Sequence, residues 1–157
     1  MTIGNLQSNV QNIIDNLDNI VLGLTMEADP SVADLNREQM MEGKTNKGED
    51  ITPKYLDNPY FKSKESAQRY SDWKDDITPS SKRKKGVPNL FINGKFHNSL
   101  EAVLSKDFIN VKTDSFGEDI IQVHHNVLGL NEESLKIVRE DIKPKLQKKL
   151  KDEIQRS

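Results

Sequence analysis

Apolar residues recur every three or four positions through the first 24 residues of the chain. The series comprises Ile3, Leu6, Val10, Ile13, Leu17, Ile20 and Leu24. Such spacing predicts an amphipathic helix with a nearly heptad period, for which Thr2 is a suitable N-cap and Asp29-Pro30 the end. Two interpretations stay open. The helix is either an ordinary core-facing helix or one that packs, through Leu6, Val10 and Leu17, on the same helix of another copy.

A second amphipathic pattern occupies the C-terminal residues. Asn131 is the expected N-cap, and Glu132 and Glu133 suit the first turn of a helix. The apolar face comprises Leu135, Val138, Ile142, Leu146, Leu150 and Ile154. Pro144 falls inside this pattern and predicts a kink or a break near Lys143.

Residues 29–86 show little periodicity and are expected to be a loop-rich, partner-binding region. Ser31 and Gly43 bound a short predicted helix over 31–42, and residues 43–53 have the composition of an exposed loop. A further short helix is predicted over 63–75.

Five of the nine aromatic residues lie between positions 55 and 73. Four of them, Tyr60, Phe61, Tyr70 and Trp73, are candidates for a surface that docks a protein partner. Because lysines and an arginine are interleaved with them, they are also candidates for stacking on single-stranded nucleic acid. The third interpretation is a small satellite core beneath a long loop.

A basic run, Lys82-Arg83-Lys84-Lys85, follows a Pro/Ser loop. Such runs are usually solvated. These four residues are nevertheless candidates for contacts with DNA phosphates or with an acidic neighbour. One such neighbour is the acidic front of this protein itself, residues 1–60, which carries a net charge of −6.

Residues 87–96 are predicted to open a β region, with Asn93-Gly94 as a hairpin turn. Two strands are then predicted at 100–104 and 108–113, forming a small antiparallel sheet that needs a helix on one face. A helix is favoured over 119–127, with Ser115 as its candidate cap, although Ile121 and Val123 also suit a strand.

Together these patterns predict a single α+β domain over residues 1–157. Long N- and C-terminal amphipathic helices pack on a small antiparallel β-sheet, with a long exposed loop region. The expected parts are the N-terminal helix (1–28), the loop-rich region (29–86), the sheet with a short helix (87–130) and the C-terminal helix (131–157).

The composition is lean in core-forming residues. Among 157 residues, 34% are apolar and 31% charged, with 23 basic and 25 acidic side chains for a net charge of −2. One modest core is expected, with part of the apolar surface completed by neighbouring copies or partners. Residues 1–60 carry −6, residues 61–100 carry +5 and residues 101–157 carry −1, which sum to that −2. Segregated charge of this kind suits complementary copies of one protein.

Several kinds of chemistry are not expected. The chain has no cysteine, and its N-terminus lacks the pattern of a secretory signal. No apolar run predicts a membrane span, so no membrane partner is expected. Gly43-Lys44 is not a Walker loop, since Glu38 stands where the first glycine belongs.

No catalytic motif stands out, so we expect neither an enzyme nor a cofactor. The adjacent residues His124 and His125 point about 100° apart on a helix and cannot chelate one ion together. No metal site is therefore expected. A small enzyme built around His97, His124 and His125 is the weakest alternative.

The segment from Asn93 to Leu100, Asn-Gly-Lys-Phe-His-Asn-Ser-Leu, resembles the Thr-Gly-x-Leu/Phe-x-x-Ser segment of phage tail-completion (head–tail connector) proteins. Asn93 stands where that family has Thr. The segment from Leu35 to Lys44, Leu-Asn-Arg-Glu-Gln-Met-Met-Glu-Gly-Lys, is similar to one in virion proteins of phages from gut bacteria, including crAss-like phages. The segments from Gly117 to Ile120 and from Gly129 to Glu133 fit the same pattern, so that the resemblance covers residues 33–135.

This resemblance implies a structural virion protein that is assembled in the host cytoplasm and forms a ring of six or twelve copies at the phage neck or tail. Its implied partners are the portal, neighbouring neck or tail proteins and, transiently, DNA in the channel. Gly94, Phe96 and Ser99 would form the turn that leads into the sheet. The alternative function is a nucleic-acid-binding accessory protein that uses the basic run and the adjacent aromatic residues.

Overall fold

The fold combines two long terminal helices with four shorter helices and a two-stranded sheet. The computed structural model describes residues 2–156. In chain order, the elements of this part are α1 (Ile3–Met26), α2 (Val32–Met41), α3 (Lys64–Ile77), α4 (Lys95–Asn98), β1 (Glu101–Leu104), β2 (Ile109–Lys112), α5 (Ser115–Val123) and α6 (Glu132–Gln155). The predicted α+β class is confirmed.

Side-chain caps set the starts of the helices that the sequence predicts best. Thr2 Oγ1 accepts a hydrogen bond from Asn5 N at 3.2 Å, and Asn131 Oδ1 accepts one from Ser134 N at 3.0 Å. Ser31 caps α2 in the same way, whereas Ser63 starts α3 with a reciprocal capping box. The three predicted caps of α1, α2 and α6 are confirmed, and each such cap is worth about 1 kcal/mol.

Helices α1 and α6 form an antiparallel pair. Each has 24 residues and is therefore about 36 Å long. The C-terminal part of α1, with Val21 and Leu24, packs on Val138 and Ile142 near the start of α6. The rest of α1 runs along the C-terminal part of α6, toward Arg156.

The sheet is a hairpin in which β1 and β2 pair antiparallel, with Glu101 opposite Lys112 and Leu104 opposite Ile109. Both strands lie where the sequence predicts them. β1 contacts α1 and α2, so that the sheet has the helical support it needs.

The main core lies between α2, the sheet and α5. Its buried members are Met40, Ile51, Val87, Phe96, Leu100 and Val127. Because Ile51 is fully buried and Thr45 nearly so, the predicted exposed loop over 43–53 is wrong at both positions. The positive φ of Gly43 (71°) allows this segment to fold back, and a Cβ there would lie 2.7 Å from a methyl group of Val87.

The hairpin turn predicted at Asn93-Gly94 is wrong, and residues 87–96 form no strand. Gly94 has a φ of 79° and is the N-cap of α4. Asn93 Oδ1 accepts a hydrogen bond from Lys95 N at 3.1 Å, which turns the chain into a helix instead of reversing it. The sheet therefore begins only at β1.

Two further predictions about helices need correction. Helix α5 ends at Val123 rather than covering 119–127, and its cap is Asp114, whose Oδ1 accepts from Gly117 N at 2.9 Å, instead of Ser115. Helix α6 continues without a break through Pro144. Packing of α6 along α1 supplies the tertiary stabilisation that offsets the missing backbone donor.

Buried amide side chains from the middle and the C-terminal half of α2 join this helix to the turn before α6. Asn36 Nδ2 donates to Val127 O at 2.8 Å, and Asn36 Oδ1 accepts from Gly129 N at 2.9 Å. Gln39 bonds in the same way to Gly129 O and Asn131 N, at 3.0 and 2.8 Å. The segments 35–44 and 129–133, both of which carry the sequence resemblance, thus form one hydrogen-bonded joint.

Candidate partner-binding surfaces

Helix α1 presents a row of exposed apolar side chains along most of its length. We call this row the α1 stripe, and it comprises Ile3, Leu6, Val10, Ile14 and Leu17. Ile3 is 80% exposed and Ile14 61%, and no residue of α1 is fully buried. Ile13 and Ile20 are partly covered and line a cleft against α6. One side of the apolar face of α1 thus packs within the chain, whereas every member of the stripe stays at least 37% exposed in residues 2–156.

The two long helices carry opposite charge. The only charged side chains of α1 are Asp15 and Asp18. From residue 143 onward α6 is rich in cations, namely Lys143, Lys145, Lys148, Lys149 and Lys151. Only Lys145 of these forms an ion pair within 4.0 Å in the described residues, with Asp141 at 2.6 Å. The charges of α1 are thus acidic, whereas cations outnumber Asp152 and Glu153 in the C-terminal part of α6.

A second surface is a cavity of about 300 Å³, which we call the aromatic groove. Six aromatic residues from four chain segments line it, namely Tyr55, Tyr60, Phe61, Tyr70, Phe91 and Phe116. Tyr70 lies at the centre of their contacts, with its ring centroid 5.2 Å from those of both Tyr55 and Phe61. Burial raises the pKa of Tyr55 to about 12, so its hydroxyl stays protonated even at a pH at which an exposed tyrosine ionises.

The structure brings three of the four predicted aromatic docking residues together in this groove. Tyr60, Phe61 and Tyr70 line it. Trp73 packs on Tyr70 at a centroid distance of 5.5 Å but is half-exposed and lies outside the groove. None of the four lies near the α1 stripe in the chain, and the two surfaces have no lining residue in common.

Lys74 is a lining residue that the sequence does not single out, and it adds a buried cation to a largely apolar groove. It is only 1% exposed, and its Nζ donates a hydrogen bond to Phe91 O. No carboxylate within residues 2–156 lies within 4.0 Å of that Nζ. Desolvation lowers the pKa of Lys74, with a further contribution from the positive charge of Arg83. In the sequence, Lys74 looks like any polar position of α3.

The basic run 82–85 is largely engaged within the chain. Arg83 is buried, and its guanidinium lies 2.9 Å from Asp75 and also donates to Val87 O and Thr78 O. Lys82 pairs with Glu42 at 2.6 Å and Lys84 with Asp50 at 2.9 Å. Arg83 is therefore not placed for the predicted phosphate contact. The partners of Lys82 and Lys84 belong to the acidic front, as one of the interpretations expects.

The segment with Gly94, Phe96 and Ser99 has a structural role. Phe96 is buried in the main core. Ser99 Oγ donates to Phe96 O at 2.7 Å and lies 2.7 Å from Thr113 Oγ1, so it ties α4 to the residue that follows β2. The segment does lead into the sheet, through a turn of helix.

Two histidines are buried in structural positions. His97 Nε2 lies 2.9 Å from Asn89 O, and His124 Nδ1 lies 2.9 Å from Thr52 O. Burial lowers the pKa of both rings, which favours their neutral forms. Over residues 2–156 no three metal-ligating side chains converge, and within that range no helix has the length and apolarity to span a membrane.

No protein-family model, no curated protein and no solved structure matches this chain. The case for a function therefore rests on the α1 stripe, the aromatic groove and the short resemblances in the sequence.

Proposed function

We propose that this protein is a structural, non-enzymatic subunit of a phage neck or tail, of the head–tail connector or tail-completion type. In this proposal the subunit self-associates into a ring through the α1 stripe. The observation that carries the proposal is that the stripe is apolar and continuous and that each of its five side chains is at least 37% exposed in the described residues.

Burial of the stripe gives a driving force for assembly. Covering a Leu, Ile or Val side chain that is otherwise in water contributes about 1.5–3 kcal/mol when burial is complete. Members of the stripe such as Ile3 and Ile14 are more than half exposed, so that much of this contribution is available only between copies. Single exposed apolar residues are normal on a protein surface, but five exposed apolar residues on one helix face form a contiguous patch, which is typical of an interaction site.

Charge favours a head-to-tail arrangement of copies. The charged side chains of α1 are acidic, and the C-terminal part of α6 is basic. These two surfaces therefore have complementary charge when they belong to neighbouring copies. A head-to-tail contact between unlike surfaces generates a closed ring when the rotation closes. A ring of six or twelve copies is the form that the resemblance implies.

The position in the virion rests on the resemblance of the segments 35–44, 93–100 and 129–133 to phage virion proteins. The buried polar side chains of these segments, such as Asn36 and Gln39, bind backbone groups of the chain. Such use of polar side chains suits a scaffold that must hold one shape while its surfaces are occupied.

Negative-stain electron microscopy tests the proposal, on the protein alone and mixed with the portal and the neighbouring neck or tail proteins of its phage. We expect closed rings of six or twelve copies, or such rings seated on the partner. Isolated single chains under all of these conditions, at concentrations well above those in an infected cell, would contradict it.

A further inference from the structure

The ammonium group of Lys74 is a buried cation with no carboxylate within 4.0 Å among residues 2–156. An ammonium offers three donors, and the structure assigns one of them, to Phe91 O. A buried charge without a counter-ion is costly, and the cost falls when an anion approaches. Because Lys74 lines the aromatic groove, its unused donors favour an occupant that carries an acceptor with negative charge.

The walls of the groove continue onto the surface around it. Tyr60 is 77% exposed, Ile92 70% and Phe116 41%, and all three line the groove. An occupant that covers them extends beyond a cavity of about 300 Å³. Tyrosine and phenylalanine are enriched where proteins meet, so a segment of a protein chain fits this surface better than a small molecule does.

Other charged groups at the groove restrict what it accepts. Asp119 also lines it, and this carboxylate opposes a second acidic group on the occupant. His124 lines the groove as well, and the Nζ of Lys95 lies 4.3 Å from the ring centroid of Phe116. Arg83, whose positive charge acts on Lys74, is also close, and it is paired with Asp75 at 2.9 Å. The arrangement favours a single carboxylate at Lys74 over an acidic run.

We propose that the aromatic groove binds an extended peptide segment of a partner protein, in which one acidic side chain is flanked by bulky apolar residues. The carboxylate meets Lys74, and the apolar residues cover the exposed rings and Ile92. This inference goes beyond the proposed ring and does not depend on it, since the groove and the α1 stripe are separate surfaces.

Titration calorimetry with a defined set of peptides tests the inference. The set consists of blocked pentapeptides in which Leu, Phe, Tyr or Trp flanks a central Asp, together with the same peptides carrying a central Asn. We expect the best Asp peptides to bind about tenfold more tightly than their Asn counterparts, the effect of one charged hydrogen bond. The substitution Lys74→Met, which keeps the length of the side chain, should abolish this preference.

Two substitutions of exposed residues keep the test decisive if Lys74→Met does not fold. Ile92→Glu places a negative charge at the groove and should weaken the Asp peptides at least tenfold, and Tyr60→Ala should weaken Asp and Asn peptides alike. Ile14→Asn in the α1 stripe is the control and should leave peptide binding unchanged.

Equal binding of Asp and Asn peptides would overturn the inference, as would the absence of binding by every member of the set. Binding that Ile92→Glu and Tyr60→Ala leave intact would overturn it too. None of these results bears on ring formation, so a failure here is distinct from a failure of the proposed function.

Discussion

Asn36 shows how much of the fold depends on single polar side chains. It is fully buried, donates to Val127 O and accepts from Gly129 N. Val127 and Asn131 at the two ends of this turn are buried and the residues between them are half-buried, so its backbone groups depend largely on partners within the chain. A lean core gains stability and one defined geometry from such fully satisfied amides.

Replacement of Asn36 by Ala should lower the free energy of unfolding by about 2–3 kcal/mol, because the buried carbonyl of Val127 and the partly buried N–H of Gly129 lose their partners. Urea unfolding followed by circular dichroism measures the change. Asn19→Ala, the same change on the exposed surface of α1, is the control and should alter stability by less than about 0.5 kcal/mol. An equal effect of the two substitutions on the free energy of unfolding would mean that the hydrogen bonds of Asn36 do not stabilise the fold.

The buried histidines predict a dependence of stability on pH. Burial lowers the pKa of His97 and His124, so the unfolded chain binds more protons than the folded one below the ordinary histidine pKa of about 6.5. The contribution of the neutral rings is fully present above that pH and is lost as the pH falls below it. Thermal unfolding should therefore show a falling Tm between about pH 6.5 and pH 5.

The double substitution His97→Gln and His124→Gln should flatten this pH dependence, whatever it does to the Tm at pH 7.5. The exposed His125 provides the control, since His125→Gln leaves both buried rings in place. A slope that survives the double substitution would assign the pH dependence to other groups.

At the scale of the elements, the sequence predicts a helix or strand well where a side chain hydrogen-bonds backbone groups a few residues away. Thr2, Ser31 and Asn131 cap the helices that the sequence places after them. Asn93-Gly94 fails because both a hairpin and a helix start can use an Asn followed by a residue with positive φ. Burial of Phe96 in the core decides between them, and that tertiary contact leaves no local signal.

Pro144 is an element-scale weakness in α6. It supplies no backbone donor in the middle of a continuous helix. Pro144→Ala should raise the free energy of unfolding by about 1–3 kcal/mol through a restored hydrogen bond and better helix propensity. Chemical unfolding measures it, with the exposed neighbour Lys143→Ala as the control. If the free energy of unfolding does not rise relative to the control, the proline does not destabilise α6 at this position.

At the scale of the whole molecule, the sequence predicts the α1 stripe but only part of the aromatic groove. The α1 stripe is visible because its members share one helical period. The aromatic groove combines residues near positions 55–61, 70–74, 88–92 and 116–124, which only the tertiary fold brings together. Lys74 gives no signal at all, since a lysine on a short helix is usually solvated.

The charge distribution also changes meaning in the folded chain. Lys82 and Lys84 pair with Glu42 and Asp50, so part of the charge contrast between residues 1–60 and residues 61–100 is satisfied internally. Arg83 pairs with Asp75 of its own segment. We therefore expect neither duplex nor single-stranded oligonucleotides to bind measurably at 150 mM salt in fluorescence anisotropy, on the order of physiological ionic strength. Sub-micromolar binding that falls steeply with salt and disappears in a Lys82→Ala, Lys84→Ala, Lys85→Ala variant would favour the nucleic-acid alternative.

The central claim is that the α1 stripe joins copies of this chain, and light scattering coupled to size-exclusion chromatography tests it most directly. The measurement compares the wild-type protein with the double variant Ile14→Asn and Leu17→Asn, and with Ser8→Asn on α1 outside the stripe. We predict that the wild type and Ser8→Asn reach a mass several times the 17.9 kDa of one chain as concentration rises, whereas the double variant stays at one chain. A wild type that stays at 17.9 kDa throughout, or a double variant that assembles as the wild type does, would contradict the claim.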